Sequence, residues 1–326
     1  MEKWRVREIT EQGKKVVWFF VPRWIQDKVR KRVEAKKALH ELEVFQNNRV
    51  SEQEVRAAMD KLDIYGDVML HSSLVEIGNI QGRQKPFVNY LQEKVLDNGH
   101  TVLAVAIPLK GYTEDYLRSI DRFDKDAPIA MGVLATYYAK QEGAIRSLNP
   151  THSVVALGKD AEAYTAEHHL DKTPFTEKSP YYKLLERNGS VLMIGAGIKH
   201  LTISHVVEDI LGDLYPKKVY EKKPHRVDIY IDGACVYKGE YFAHSKWLSA
   251  FQSDVHMVEC MRALPSTKIV KLGAGEIVSI NAREAVLCLL NELKKGNSIW
   301  GWARISDECS ARIDYWIERI KGMKVE

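Results

Sequence analysis

Within LTISHVVEDI, from Leu201 to Ile210, His205 and Glu208 have the types and spacing for acid–base chemistry. Residues three apart on a helix share a face. A carboxylate beside an imidazole orients the ring, sets its tautomer and favours its protonated form, as a general base requires. By spacing alone such a pair is more often an ordinary surface contact. Its setting raises the functional reading: the preceding run GSVLMIGAG reads as a buried strand that feeds directly into the pair. Ligand sites in open parallel sheets gather at the carboxyl ends of strands.

Other histidines stand in turns next to apolar runs: His71 in LHSSL, His152 in NPTHSV and the doublet His168-His169. Ser72, Ser73 and Ser153 can present donors to a ligand carbonyl or phosphate, although such residues more often bond their own backbone. The chain has no GxxxxGK[ST] loop, GxGxxG fingerprint, GxSxG elbow or HExxH helix. A metal on His205, Glu208 and a third ligand such as His168 would suit a hydrolase, but no recognised ligand spacing supports it.

These residues need a scaffold, and the chain describes one. SEQE, with Ser51 at the N-cap and Glu54 at N3, opens a helix. DVMLHSSL and HTVLAVAIPL read as buried strands, separated by a loop with Gly78 and Gly82 and by the helical PFVNYLQEKVLDNG. That order predicts a βαβ crossover and an α/β fold with a mostly parallel central sheet flanked by helices. HRVDIYIDGACVYKGEYF predicts a hairpin turning at Asp232-Gly233, and IVKLGAGEIVSI a further strand pair. Together they suggest a smaller β-rich lobe at about 219–280 in the C-terminal half. NAREAVLCLLNELKKG follows as a helix capped by Asn281 and stopped by Gly296.

The length of 326 residues suits one large domain or two moderate ones, and 45% hydrophobic with 28% charged residues is ordinary globular composition. A net charge of +4 lacks the dense basic stripe of a nucleic-acid binder. Four scattered cysteines without a CxxC pair indicate neither a zinc site nor a disulfide framework and suggest a reducing cytoplasm. Residues 1–50 form a basic and aromatic helical arm. Its Trp18, Phe19, Phe20 and Trp24 would either pack on the main domain or another subunit of a homo-oligomer, or touch a membrane surface.

The ordered segments GDVMLHSSLVEIGNIQG, APIAMGVLATYYAKQEGAIRSLNPTHSVVALGKDAEAYTAEHHLD, SPYYKLLERNGSVLMIGAG and LTISHVVED resemble the aminoglycoside 3-N-acetyltransferase family, from about Ser51 to about Lys295. The resemblance implies an acetyl-CoA-dependent enzyme, residues 51–326 forming the acetyltransferase domain, with no need for a metal. It implies that Thr202, His205 and Glu208 carry catalysis, His205 as general base. It implies that His71, Ser72, Ser73 and Leu74, with Gly78 and Gly82, meet the pantetheine and phosphates of the cosubstrate, Ser72 or Ser73 also serving the oxyanion. The family's RSxHPxxS turn falls on Arg146, Ser147, Asn149, Pro150 and Ser153, which places Asn149, His152, Ser153 and His168 on the acceptor side.

Two departures bear on the acceptor. Asn149 stands where the family has histidine, with His152 three residues later, and LKGYTEDYLRSIDRFD lacks the tryptophan- and proline-rich insertion of drug-modifying members. The expected acceptor is therefore an amino sugar, free or nucleotide-linked, of the kind used in surface polysaccharide synthesis. An aminoglycoside acceptor and a family-shaped binding protein without activity are the alternatives.

Overall fold

The computed structural model describes residues 21–62, 64, 66–130, 132–250, 252 and 254–324, so Trp18, Phe19 and Phe20 lie outside the described residues. In chain order, the first half contains α1 (Arg23–Asn47), α2 (Glu52–Asp60), β1 (Val68–Ser72), α3 (Lys85–Lys94), β2 (Thr101–Val105), β3 (Arg122–Asp124), α4 (Val133–Tyr138), β4 (Ile145–Arg146) and β5 (Val154–Gly158). There follow α5 (Pro180–Glu186), β6 (Ser190–Ile194), α6 (Val206–Leu211), β7 (His225–Ile231), β8 (Ala234–Tyr241), α7 (Val255–Ala263), β9 (Lys268–Leu272), β10 (Gly275–Asn281), α8 (Ala282–Lys294) and α9 (Asp307–Lys321).

Seven strands form the central sheet in the order β9-β10-β6-β1-β2-β5-β4. The α/β class and the β1-α3-β2 crossover are as expected, with β1 and β2 parallel. The sheet is mixed rather than mostly parallel. Only β6, β1 and β2 run parallel to one another, and the flanking pairs are antiparallel. The reason is connection length: β9 and β10 are joined by a tight turn, which permits only an antiparallel pair. The strand pairs expected to share one lobe also separate. Hairpin β7–β8 joins β3 in a three-stranded sheet, whereas β9–β10 extend the central sheet. At the hairpin turn Asp232 and Gly233 both have positive φ, 49° and 82°, as a turn matched to strand twist demands.

Alternate side chains of the central strands point to opposite faces. Met69, Leu103, Val191 and Met193 lie under α5, α6, α8 and α9. Val68, Leu70, Val102 and Leu192 lie under α2, α3 and α4. Ser51 and Glu54 form the expected capping box at α2, and Asn281 caps α8 by accepting from the Glu284 amide. Helix α1 is largely exposed and is tied to the body where Arg49 and Val50 pair with Asn79 and Ile80.

Three chain segments meet at one edge of this sheet. Strands β1 and β6 end together, Ser72 opposite Ile194. Strand β5 starts there because it runs antiparallel to β2, with Val154 opposite Val105. Beyond β6, Gly195 adopts φ +67°, and a Cβ built on it would stand 2.3 Å from the Ser73 carbonyl oxygen. Only glycine accepts both the positive φ and the close approach. We expect Gly195→Ala to cost on the order of 2–3 kcal/mol. Denaturant titration checks this, and an unchanged midpoint would refute the constraint.

Candidate active site

The expected helix at His205 begins as a 3₁₀ turn over Thr202–His205 and continues as the six-residue α6, which ends at Gly212 with φ 53°. The turn places His205 and Glu208 side by side. Glu208 is 2% exposed. Its Oε1 lies 3.0 Å from His205 Nδ1 and accepts from Trp300 Nε1 at 2.6 Å; its Oε2 lies 3.0 Å from His244 Nε2.

With Glu208 ionised, both rings donate to it, which fixes their neutral tautomers. In neutral His205 the lone pair therefore sits on Nε2. Burial pushes His205 down in pKa, but the charge and hydrogen bond of Glu208 outweigh it, with Asp254 and Asp209 adding to the same effect, so the imidazolium is favoured. His244 meets the same carboxylate with the opposite result: burial dominates and its pKa falls. Glu208 itself resists burial because the two histidines hold it down to about 2.

Aromatic rings complete the setting. Phe175 stacks on His205 with centroids 5.2 Å apart, and Tyr220 stacks on His244 at 4.6 Å. Tyr220 also donates to Asp209 at 2.7 Å, and the Phe175 amide donates to the same carboxylate at 2.7 Å. Burial raises Asp209 to about 7 despite these donors. His152 joins the group, its ring 4.8 Å from Phe175 and 6.0 Å from His244.

Not every residue singled out in the sequence reaches this group. Asn149 is 1% exposed, and its Oδ1 accepts from the Thr151 amide, the Thr151 hydroxyl and the His152 amide. It organises the turn that presents His152 and offers no surface to an acceptor. Ser153 is fully buried between Arg146 and the Ala106 carbonyl. His168 is buried with one ring nitrogen on Ser147 Oγ and the other on the Pro174 carbonyl. Burial lowers His168 to about 3, so it is a neutral structural residue, and the third position beside His205 and Glu208 belongs to His244. Asn149, Ser153 and His168, expected on the acceptor side, are thus each buried with polar atoms bonded within the chain.

Of the strand-end residues, His71 is buried with no partner for Nε2 among the described residues, and burial lowers it to about 3. Ser72 and Leu74 are half-buried beside it, while the Ser73 amide already donates to Ile194. Gly78 is required by its own chain, since a Cβ there would stand 2.4 Å from the Asn48 carbonyl oxygen; Gly82 faces Glu52. Thr202 is half-buried, and its hydroxyl contacts only the His200 carbonyl among the described residues. His205, Glu208 and His244 offer ligand atoms within 4.8 Å of one another, a geometry that could also hold a cation. The carboxylate's hydrogen-bond donors are already supplied by the two histidines and Trp300.

The fold and site thus define an α/β protein with an oriented imidazole at the ligand edge of its sheet. The profile described as Aminoglycoside 3-N-acetyltransferase matches residues 69–294. The chain belongs to that family. It is 28% identical over 184 residues to aminoglycoside N(3)-acetyltransferase VII of Streptomyces paromomycinus, covering 52% of this chain and 62% of that protein. The chain therefore spans about three fifths of the length of the curated relatives it matches. Among solved structures, AAC-IIIb in its binary complex with CoASH superposes with a TM-score of 0.62 at 24% identity, over 76% of this chain and 97% of that one. AAC-VIa bound to sisomicin gives 0.55 at 20% identity, over 73% and 95%. These relatives are named for aminoglycosides, which favours that alternative over the nucleotide-linked amino sugar of polysaccharide synthesis, for which they provide no support.

Replacing the carboxylate tests the site directly. In Glu208→Gln the charge that favours the His205 imidazolium is gone, so its protonation midpoint should move to lower pH. Titration of the imidazole signals by NMR checks this; an unmoved midpoint would show that Glu208 does not tune the ring.

Proposed function

We propose that the protein is an acetyl-CoA-dependent N-acetyltransferase that acylates an amino group of an aminoglycoside. The observation that supports this most is His205, held through Nδ1 by a buried carboxylate with its Nε2 lone pair left for chemistry. An ammonium cannot attack a thioester; the acceptor must first lose a proton. His205 Nε2 takes that proton, and the Glu208 carboxylate stabilises the imidazolium that results. As cosubstrate, acetyl-CoA supplies an activated carbonyl and a thiolate leaving group. His205 releases that first proton to solvent; the amine nitrogen then bonds to the carbonyl carbon and gives its second proton to Nε2, and as the carbon–sulfur bond breaks His205 passes this proton to the departing thiolate, leaving the amide, the CoA thiol and one released proton.

Charges around the site separate into two groups that suit the two substrates. Glu208 and Asp254 both act on His205, and their negative charge favours a cationic acceptor. His200, which acts on His71, is itself within reach of Lys199 and Lys37 and of Glu76. The two lysines suit the phosphates of CoA, and the buried His71 Nε2, without a partner among the described residues, fits a polar atom of the thioester arm. Ser72 is the better oxyanion candidate of the two serines, because the Ser73 amide is committed to Ile194.

His205→Ala should lower acetyl transfer roughly a hundredfold or more while leaving the circular dichroism spectrum unchanged. The assay compares a panel of aminoglycosides with free and nucleotide-linked amino sugars. Near-wild-type turnover by the variant would overturn the role of His205, and turnover of nucleotide-linked sugars alone would overturn the acceptor.

A further inference from the structure

A second cluster lies behind the wall of this site. His256 and Cys260 stand four apart on α7, and Cys288 and Glu292 stand four apart on α8, so each pair occupies one helix face. The two faces meet. His256 Nε2 lies 2.6 Å from Glu292 Oε2 and 3.4 Å from Cys260 Sγ, and the Cys288 thiol is close enough to that of Cys260 for the two to affect each other's ionisation. The ligand atoms of His256, Cys260 and Glu292 all fall within 4.8 Å of one another.

We infer that His256, Cys260 and Glu292, joined by Cys288 through a small shift of its side chain toward Cys260, form a binding site for a thiophilic divalent cation, zinc being the best match. Tetrahedral zinc, with bonds of about 2.0–2.3 Å, sets neighbouring ligand atoms roughly 3.3–3.8 Å apart. The Cys260–His256 separation already lies in that range, and the His256–Glu292 pair needs to open by less than about 1 Å. Two thiolates, an imidazole and a carboxylate are a donor set suited to a borderline-soft ion.

The surroundings are those of a supported ligand set. Glu292 Oε1 accepts from Lys295 Nζ at 2.6 Å, and Oε2 accepts from Asn297 Nδ2 at 2.9 Å. Such partners orient a ligating carboxylate. Zinc with two thiolates and one carboxylate carries one net negative charge, which Lys295 offsets. A cavity of about 20 Å³ adjoins the cluster and is lined by His256, Cys260 and Glu292 together with Ser204 and Val207, the neighbours of His205. An ion here would pin α7 to α8 and stiffen the wall on which His205 stands.

The inference stands apart from the proposed acetyl transfer, because metal content and spectra test it without any turnover. The reduced full-length protein is dialysed against zinc and its metal content measured, and cobalt is then substituted for zinc. The expected result is one zinc per chain, protection of two thiols from alkylation and a thiolate-to-cobalt charge-transfer band. Cys260→Ser and His256→Gln should each weaken binding at least tenfold with an unchanged circular dichroism spectrum. Three outcomes would overturn the inference: no bound zinc in the wild type, thiols that zinc does not protect, or binding that survives in Cys260→Ser but is lost in His244→Ala, which would place the ion at His205, Glu208 and His244.

Discussion

The site depends on one buried carboxylate. Removing an ion of this kind from water costs several kcal/mol unless charge and hydrogen bonds replace its hydration. Glu208 obtains three donors from three places: His205 on the turn before its own helix, His244 after strand β8 and Trp300 after helix α8. No single segment satisfies the carboxylate. The small sheet and the C-terminal elements must both close onto the central sheet before the charge is compensated, so assembly of the fold and assembly of the site are the same event.

That shared carboxylate treats its two histidines differently, because Asp254 and Asp209 add to its effect on His205, whereas His244 has His205 beside it to oppose a second positive charge. The His205 side chain is 15% exposed and that of His244 is 7% exposed. Both are penalised by burial and both are helped by Glu208, yet the balance favours the cation at His205 and the neutral ring at His244. One ring is left able to gain and release a proton; the other holds the carboxylate in place. Phe175 and Tyr220 reinforce this division, stacking on His205 and His244 respectively while both bond Asp209.

What could be read from the sequence was local. The capping box at Ser51, the turn at Asp232-Gly233 and the β1-α3-β2 crossover each depend on a few neighbouring residues, and so does the His205–Glu208 pair. His244 and Trp300 were missed because they lie 36 and 92 residues from Glu208, and no periodicity links them to it. The only local sign at His244 is a histidine directly after an alternating strand. Asn149 illustrates the converse. Placed in a motif it looks like a lost contact, whereas the folded turn uses its carbonyl oxygen to collect three donors and present His152. Hydroxyls and imidazoles near a strand end, such as Ser153 and His168, were drawn inward by buried backbone carbonyls that needed partners.

Net charge is a poor guide to what such a site accepts. The chain carries +4 overall, a value that taken alone suits a phosphate-bearing acceptor. Fields in a cleft are set by the charges that line it. Around His205 those charges are the Glu208 and Asp254 carboxylates, while Lys37 and Lys199, with Glu76 among them, act on His200 near His71. A nucleotide-linked sugar would bring its phosphates toward carboxylates if its amine were to reach Nε2. On the reading proposed above, the ammonium that approaches Nε2 meets the same carboxylates that favour the His205 imidazolium, so one set of charges would tune the base and draw in the acceptor.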